Sequence, residues 1–223
     1  IKKDAATPPK ATLSFPGGLK DFLLVETNDR EMVTSVPFTG EAKLTDGGRV
    51  EWAVSWPSDD GDSFLHSYCN TVPTPDGGSH ESGFRGALTR GLKAYGEFAK
   101  IKRANHITAD DILTSTCGIL SVFISEPQFQ GQTKQRLQSP EAAKMVENSV
   151  KDHFEHWLTQ DRELADTLLA RVLDRAEERL RRRQERDVKR KTATRRLRLP
   201  GKLSDCSLTA ANGTEIFLVE GDS

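Results

Sequence analysis

Large apolar residues alternate with small or polar ones along residues 50–56, at Val50, Trp52, Val54 and Trp56. Successive side chains of a strand point to opposite faces of a sheet, so this spacing predicts a strand with one large apolar face. The turn residues 46–48 (Asp-Gly-Gly) come just before it and predict a hairpin with another strand over residues 36–44. We interpret the pair as part of a half-buried antiparallel sheet.

Three further segments are predicted within residues 19–124. A third strand is predicted over residues 64–72, before the turn residues 74–78. Residues 119–124 are apolar on both faces, which is typical of a central strand. Near the N-terminus, residues 19–26 have the apolar spacing of a two-turn helix.

The apolar period becomes helical between these strands. Residues 79–100 carry an apolar stripe on one face and predict a long helix. Thr108 is placed to cap a short helix over residues 109–113, whose first turn is acidic. Residues 126–138 are polar and predict a loop after the central strand.

Two helices are predicted in the second half of the chain. Residues 139–141 (Ser-Pro-Glu) start the first one, with the serine as the cap and the proline in the first turn. The second is predicted from Asp161 to about Lys191, and its apolar stripe ends near Leu180. A helix of some thirty residues is ~45 Å long. Its far end has no stripe of its own, so we expect it to project or to dock outside this chain.

Residues 199–201 (Leu-Pro-Gly) are predicted to end that helix. An apolar run over residues 216–219 then predicts a buried strand that ends at Glu220. A carboxylate at the end of a strand stands where α/β folds place their ligands.

Composition and charge narrow the possible functions. A chain of 223 residues with 35% hydrophobic residues can bury one sizeable core, so we expect one domain plus an appendage. The net charge is -1, but residues 171–198 contain thirteen Lys or Arg against five acids, which is +8 there and -9 elsewhere. This segregation is typical of a surface that meets a polyanion. The alternative is a solvated helix whose arginines pair with acids at i,i+4 spacing.

The cysteines and the N-terminus indicate a cytoplasmic protein. Cys69, Cys117 and Cys206 are odd in number and form no CxxC pair, so neither a disulfide framework nor a zinc knuckle is predicted. No apolar run approaches the ~18 residues of a membrane span, and no signal-peptide core is present, so no membrane partner is expected. The first residue is Ile1, which suggests a fragment of a longer protein.

Five motifs occur in the order found in the ATPase subunits of bacterial type IIA DNA topoisomerases. They are Phe15-Pro16-Gly17-Gly18-Leu19, then Thr74 with Gly77-Gly78-Ser79-His80 and Gly83-Phe84-Arg85, then Gly131-Gln132-Thr133-Lys134, then Leu199-Pro200-Gly201-Lys202-Leu203-Ser204-Asp205-Cys206, and finally Glu220-Gly221-Asp222-Ser223. The chain therefore resembles this family over nearly its whole length. Residues 19–22 and 68–70 resemble the topoisomerase IV subunit (ParE type) more than the gyrase subunit.

The resemblance implies a domain organisation. Residues 1–11 would be a linker from an ATP-binding domain, and residues 12–198 would form a transducer domain that includes the long helix over about 161–191. Residues 199–223 would begin a TOPRIM domain. The resemblance implies an α+β fold in which a mixed sheet packs on helices, because the transducer of this family has a left-handed β-α-β crossover like that of a ribosomal small-subunit protein. With the ATP-binding domain and most of TOPRIM outside it, the chain alone is expected to be inactive.

The resemblance also implies site residues. Gln132, Thr133 and Lys134 would reach the γ-phosphate of ATP bound by the neighbouring domain. A loop with these residues is in most proteins only a solvated loop, but its place after a central strand and among the other motifs favours the phosphate contact. Glu220 would serve as a catalytic and Mg²⁺-associated residue once TOPRIM is complete. For His80, the family turn implies a structural, hydrogen-bonding role.

The expected partners follow from the same resemblance. They are duplex DNA, the topoisomerase IV A subunit (ParC type) and a second copy of the same subunit, in the cytoplasm at the nucleoid. The residues expected near DNA are Arg179, Arg181, Arg182, Arg183, Lys189, Arg190 and Lys191. Three alternatives remain: a gyrase subunit, a module of the same crossover fold that binds RNA or DNA through the arginine-rich helix, and a protein-interaction scaffold.

Overall fold

The computed structural model describes residues 16–27, 30–59 and 61–195, the last seven of these by their backbone alone. The elements in chain order are α1 (Leu19–Thr27), β1 (Phe38–Lys43), β2 (Arg49–Ser55), β3 (Phe64–Cys69), β4 (Val72–Pro73), α2 (Ser79–Phe98), a 3-10 helix (Lys102–His106), α3 (Ala109–Leu113), β5 (Cys117–Phe123), β6 (Phe129–Gln130), β7 (Arg136–Leu137), α4 (Pro140–Gln160) and α5 (Arg162–Arg195). The predicted linker, Glu220 and the start of TOPRIM lie outside the described residues.

A mixed five-stranded sheet has the order β1-β2-β5-β3-β4. The predicted central strand is confirmed as β5, which pairs antiparallel with β2 and parallel with β3. Leu120 is the register partner of Trp52 on one side and of Ser67 on the other. Because β3 and β5 are parallel and α2 and α3 lie between them in the chain, this part is a β-α-β crossover. The α+β class is confirmed, and the left-handed sense of the crossover stays a prediction.

The sheet is covered on both faces, so the half-buried sheet predicted for residues 50–56 is wrong. Trp52 and Trp56 lie in the main core with residues of α2, α4 and α5, as their alternation predicts. On the opposite face, Ala53 is fully buried in a second cluster to which α1 contributes Leu23. Small residues on that face make room for a helix instead of water.

Two glycines let α2 and α4 approach each other closely. A Cβ added at Gly83 would lie 2.8 Å from the carbonyl carbon of Ala143, and one at Gly91 would lie 2.7 Å from a ring carbon of Phe154. Real Cβ atoms do not tolerate such distances, so a larger residue at either position would force the helices apart.

The predicted helix ends are mostly confirmed, each by its own hydrogen bonds. Thr108 and Asp111 form a capping box at the start of α3. Asp161 separates α4 from α5, and its carboxylate accepts the Leu164 amide at 3.1 Å, as expected of an N-cap. Ser139 stands before α4 as predicted, but its side chain does not cap that helix.

The predicted third strand, residues 64–72, is interrupted. Asn70 and Thr71 have φ values of 50° and 67° and turn the chain back as the two-residue strand β4. The Asn70 side chain donates from Nδ2 to the Ile124 carbonyl at 2.9 Å and accepts the Ile124 backbone amide at Oδ1, at 3.0 Å. This residue therefore ties the end of β3 to the chain that leaves β5.

The chain divides into two compact units, Ile1–Arg179 and Leu180–Ser223. In the first unit, the α5 residues Leu168, Val172 and Ala176 are buried. In the second unit, the described part consists of α5 residues, and Val188 is an exposed apolar side chain there.

Among the helices that the structure describes, none combines the length and the apolar character needed to cross a membrane.

Candidate functional site

The segment predicted as a polar loop, residues 126–138, contains a small hairpin. β6 and β7 pair through Phe129–Leu137 and Gln130–Arg136, and residues 131–134 form the turn between them. The three predicted phosphate-contact residues, Gln132, Thr133 and Lys134, all lie in this turn and are exposed. The structure therefore brings these three residues together at the tip of one element.

Lys134 has an unusual backbone conformation in this turn. Its φ is 54°, in the left-handed region that few non-glycine residues adopt, and Gly131 at the other end of the turn has a φ of 68°. The Lys134 ammonium lies 5.7 Å from the centroid of the Phe129 ring, within the range of a cation-π contact. The turn thus holds a cation above the first strand of the hairpin while leaving it open to solvent.

The hairpin is fastened to the turn at residues 74–78. The Asp76 amide donates to the Gln135 carbonyl at 3.0 Å, and the Leu137 amide donates to the Gly77 carbonyl at 3.1 Å. The Arg136 guanidinium also donates to the Asp76 carbonyl, at 3.3 Å. Two motifs that lie more than fifty residues apart in the sequence are therefore one structural unit, which we call the hairpin seat (residues 74–78) and the hairpin (residues 128–139).

Gly78 allows the closest approach between the seat and the hairpin. Its φ is 143°, and a Cβ added there would lie 2.6 Å from the Leu137 amide nitrogen and closer still to the Leu137 carbonyl oxygen. Both the backbone conformation and the space exclude other residues. Gly78 is also the residue immediately before α2.

We expect Gly78→Ala to destabilise the 223-residue chain by roughly 2–4 kcal/mol, since it combines backbone strain with a clash against the backbone of Leu137. Gly47→Ala is the matched control, because Gly47 has a φ of 83° with no atom within 4 Å of the added Cβ. Urea unfolding of both variants separates the clash from the strain. Equal losses of unfolding free energy in the two would show that the approach to Leu137 is not tight.

A network of buried hydrogen bonds stabilises the hairpin seat. The Thr74 hydroxyl donates to the Ser67 carbonyl at 2.9 Å and lies 3.1 Å from Nε2 of His80. His80 is fully buried, and its burial lowers the pKa of the imidazole to about 4, so the ring is neutral at physiological pH. The structural role predicted for His80 is confirmed.

Arg179, predicted to lie near DNA, is engaged within the first unit instead. Its guanidinium donates to both carboxylate oxygens of Asp111, at 2.7 and 3.0 Å, and to the His106 carbonyl at 2.9 Å. Asp111 is 4% exposed. Burial by itself would raise the pKa of this carboxyl, but the bonds from Arg179 and Thr108 lower it below its ordinary value. Arg179 therefore anchors α5 to α3.

The other predicted DNA-facing residues lie in the second unit. Arg181, Arg182 and Arg183 are exposed, and Arg181 lies 3.9 Å from Glu185 in an i,i+4 ion pair. Such pairs were the alternative interpretation of this stretch, and an exposed pair contributes little to stability. The side chains of Lys189, Arg190 and Lys191 lie outside the described residues.

Within the described part of the chain, no group of three His, Cys, Asp or Glu side chains could hold a metal ion.

A family model described as DNA gyrase B matches residues 18–188. The chain belongs to this family.

Members of this DNA gyrase B family and their relatives resemble the chain closely. The B subunit of DNA topoisomerase 4 from Bartonella bacilliformis is 52% identical over 99% of this chain and 32% of its own length. The topoisomerase IV ATP-binding domain of Francisella tularensis aligns with a TM-score of 0.66 and 29% identity, over 76% of this chain and 45% of that chain. The 43K ATPase domain of Thermus thermophilus gyrase B aligns with a TM-score of 0.67 and 25% identity, over 77% and 46%. The predicted resemblance to the topoisomerase IV type is confirmed.

The chain spans about a third of the length of the curated relatives that it matches, 32% for the Bartonella protein. Two features of this chain were not predicted from the sequence. They are the pairing of the hairpin with its seat, and the hydrogen bond that the Ser139 hydroxyl accepts from the Gln128 amide. The only sequence signal for the first is the adjacent glycine pair at residues 77–78, which indicates a backbone that must be approached closely.

Proposed function

We propose that the chain is the transducer segment of the ATPase subunit of a bacterial type IIA DNA topoisomerase of the topoisomerase IV type. In this proposal residues 12–198 form the transducer, residues 1–11 link it to an ATP-binding domain, and residues 199–223 begin TOPRIM. The whole subunit would hydrolyse ATP to drive DNA strand passage, decatenation and relaxation. The family membership and the similarity to the Bartonella topoisomerase 4 protein support this assignment.

The observation that carries the proposal is the exposed cation at the tip of an anchored hairpin. Lys134 offers an ammonium, Gln132 an amide and Thr133 a hydroxyl, which are suitable donors for the oxygens of a terminal phosphate. Because the three residues lie in one exposed turn, they could contact a nucleotide held by a neighbouring domain. Bound ATP would supply the phosphate that links the two domains, and hydrolysis would remove that link.

The helices that follow the hairpin are suited to pass on the resulting movement. α4 starts one residue after the hairpin ends, and α5 follows it after Asp161. Through Leu168, Val172 and the Arg179–Asp111 pair, the part of α5 up to Arg179 is packed within the first unit. A displacement of the hairpin would therefore act on a packed body rather than on a single loose segment.

The proposal is tested by joining the chain to the ATP-binding domain of the same protein. ATP hydrolysis should appear in the joined protein and should depend on Lys134. Hydrolysis that appears and is indifferent to residue 134 would contradict the phosphate contact while leaving the family membership intact.

The basic part of α5 is proposed to lie near duplex DNA. Arg181, Arg182 and Arg183 are exposed and would meet phosphates without reading sequence. Arg179 is a weaker candidate, since Asp111 already neutralises it. We expect duplex binding by the chain to weaken steeply between about 20 and about 200 mM salt, because each phosphate contact releases counterions. Fluorescence anisotropy with a labelled duplex measures this slope, and binding that is absent throughout the range would contradict DNA proximity.

The remaining parts of the proposal concern the whole subunit. Glu220 would contribute to a Mg²⁺ site only together with the rest of TOPRIM, because such sites combine one or two carboxylates with substrate phosphate. The A subunit of topoisomerase IV, a second copy of this subunit and a cytoplasmic, nucleoid-associated location are proposed on the same similarity. The alternative of an RNA-binding module has no observation in its favour once the family is known.

A further inference from the structure

The hydroxyl of Ser139 serves the hairpin and not its own helix. Although Ser139 stands immediately before α4, its Oγ makes no bond to the amides of the first turn. Instead it accepts the Gln128 amide at 2.9 Å, at the opposite end of the hairpin. The side chain is buried, with Ser139 4% exposed. A residue with the sequence signature of a helix cap is therefore used for a different purpose.

The base of the hairpin is closed by two hydrogen bonds that share Gln128. The Gln138 amide donates to the Gln128 carbonyl at 2.7 Å, and the Gln128 amide donates to Ser139. The Ser139 carbonyl accepts the Ala142 amide at 3.2 Å, which is the first backbone bond of α4. Ser139 thus belongs to α4 through its backbone and to the hairpin through its side chain.

We propose that Ser139 is a positioning residue for Lys134. This inference rests on the proposed phosphate contact and adds a residue to it that does not touch the nucleotide. The hydroxyl fixes the outgoing and returning chains of the hairpin against α4, so the direction in which the turn points is set at its base.

Two features make the tip dependent on that base. Gln132, Thr133 and Lys134 are exposed, so the surrounding protein constrains them mainly through the strands that carry them. These strands have only two residues each. Strands this short have little stability of their own, so the position of the turn depends on the bonds at the hairpin base together with those from the seat, and loss of a bond at the base loosens it. A misplaced cation then binds the terminal phosphate less well, while the α- and β-phosphates are unaffected.

The positioning role is tested by comparing the affinities of the full-length subunit for an ATP analogue and for ADP. We expect Ser139→Ala to weaken the affinity for a non-hydrolysable ATP analogue about five-fold, the value of one hydrogen bond, and to leave the affinity for ADP unchanged. Ser58→Ala is the matched control, because the Ser58 hydroxyl donates to the Glu31 carbonyl at 2.9 Å and has no part in the hairpin. Equal losses for the analogue and for ADP would indicate a merely structural role and overturn the inference.

A double-mutant cycle separates this inference from the proposal beneath it. If Ser139 acts through Lys134, then Ser139→Ala has no further effect on analogue affinity in a Lys134→Ala background. A full five-fold loss there overturns the positioning role. Absence of any effect of Lys134→Ala itself overturns the phosphate contact. Ser139→Cys, which keeps the shape of the side chain with a larger sulfur atom that accepts hydrogen bonds only weakly, replaces the alanine variant if that one does not fold.

Discussion

ATP turnover by the full-length subunit will fall by about 100-fold or more in the Lys134→Ala variant. Removal of one preorganised donor from a reacting oxygen has an effect of this order, since the donor stabilises charge that develops in the transition state. Lys134 is exposed and its ammonium lies beside the Phe129 ring of its own hairpin, so the substitution should leave folding intact. Steady-state hydrolysis measured with saturating ATP, together with the thermal unfolding midpoint, checks both parts.

Lys144→Ala is the matched control for this variant. Lys144 is an exposed lysine on α4, close to the hairpin in sequence but outside its turn. Its removal changes the net charge by the same amount and should leave turnover within about two-fold of the unmodified subunit. Near-normal turnover in Lys134→Ala, or an equal loss in the two variants, would remove Lys134 from the proposed role.

Replacement of Asp111 with alanine will destabilise the chain by roughly 2–4 kcal/mol. The substitution removes the capping box of α3 and leaves the Arg179 guanidinium without its carboxylate. The Arg179 side chain is 34% exposed, so water recovers part of the loss, and the value is set below that of a fully buried pair. Urea unfolding monitored by circular dichroism measures the change.

The neighbouring carboxylate provides the control for Asp111. Asp110 lies on the same short helix, but its side chain is 81% exposed and its ion pair with Arg85 is at 3.5 Å. Asp110→Ala should therefore change stability by less than about 0.5 kcal/mol. A loss in Asp111→Ala no greater than that in Asp110→Ala would show that the buried pair does not anchor α5.

The Asp111 interaction also gives a pH dependence of known sign. Burial acts to raise the pKa of this carboxyl, but the bonds from Arg179 and Thr108 outweigh it and hold the pKa below the ordinary value of 3.8. The folded state therefore binds the proton less readily than the unfolded state. The stability that Asp111 contributes is fully present at neutral pH and is lost as the pH falls through 3.8 and below. In Asp111→Ala the acid-induced loss of stability should be smaller than in the unmodified chain.

Local sequence patterns predicted the elements whose partners lie nearby in the chain. The alternation of large apolar residues over residues 50–56, which includes Trp52 and Trp56, predicted the core strand. This was possible because a period of two depends only on the strand itself. Thr108 predicted a helix start because an N-cap bonds amides two or three residues ahead.

The errors concern contacts between distant segments. The two strands of the hairpin have two residues each, too few to produce a period, and their seat lies more than fifty residues earlier. The helix α1 was predicted, but nothing in its spacing tells which face of the sheet Leu23 covers. Ser139 was placed correctly before α4, yet its hydroxyl could serve either a near amide or a remote one, and only the fold decides between them.

The sequence therefore predicted which residues form the turn of the candidate site, but not which residues hold that turn in place. Gln132, Thr133 and Lys134 were identified together because they form one of the motifs that carry the family resemblance. Gly78 and Ser139, which hold that turn, act through backbone and hydroxyl contacts that are specified by tertiary structure. No local pattern distinguishes these two residues from an ordinary turn glycine and an ordinary helix cap.

The hairpin rests on the residues that immediately precede two helices, Gly78 before α2 and Ser139 before α4. These helices are in turn pressed together at Gly83 and Gly91. A displacement of the hairpin would thus act on two helices that are packed against each other rather than on one. A larger residue at Gly83 or Gly91 would separate these two helices and so alter the support of the hairpin without changing any residue of the hairpin itself.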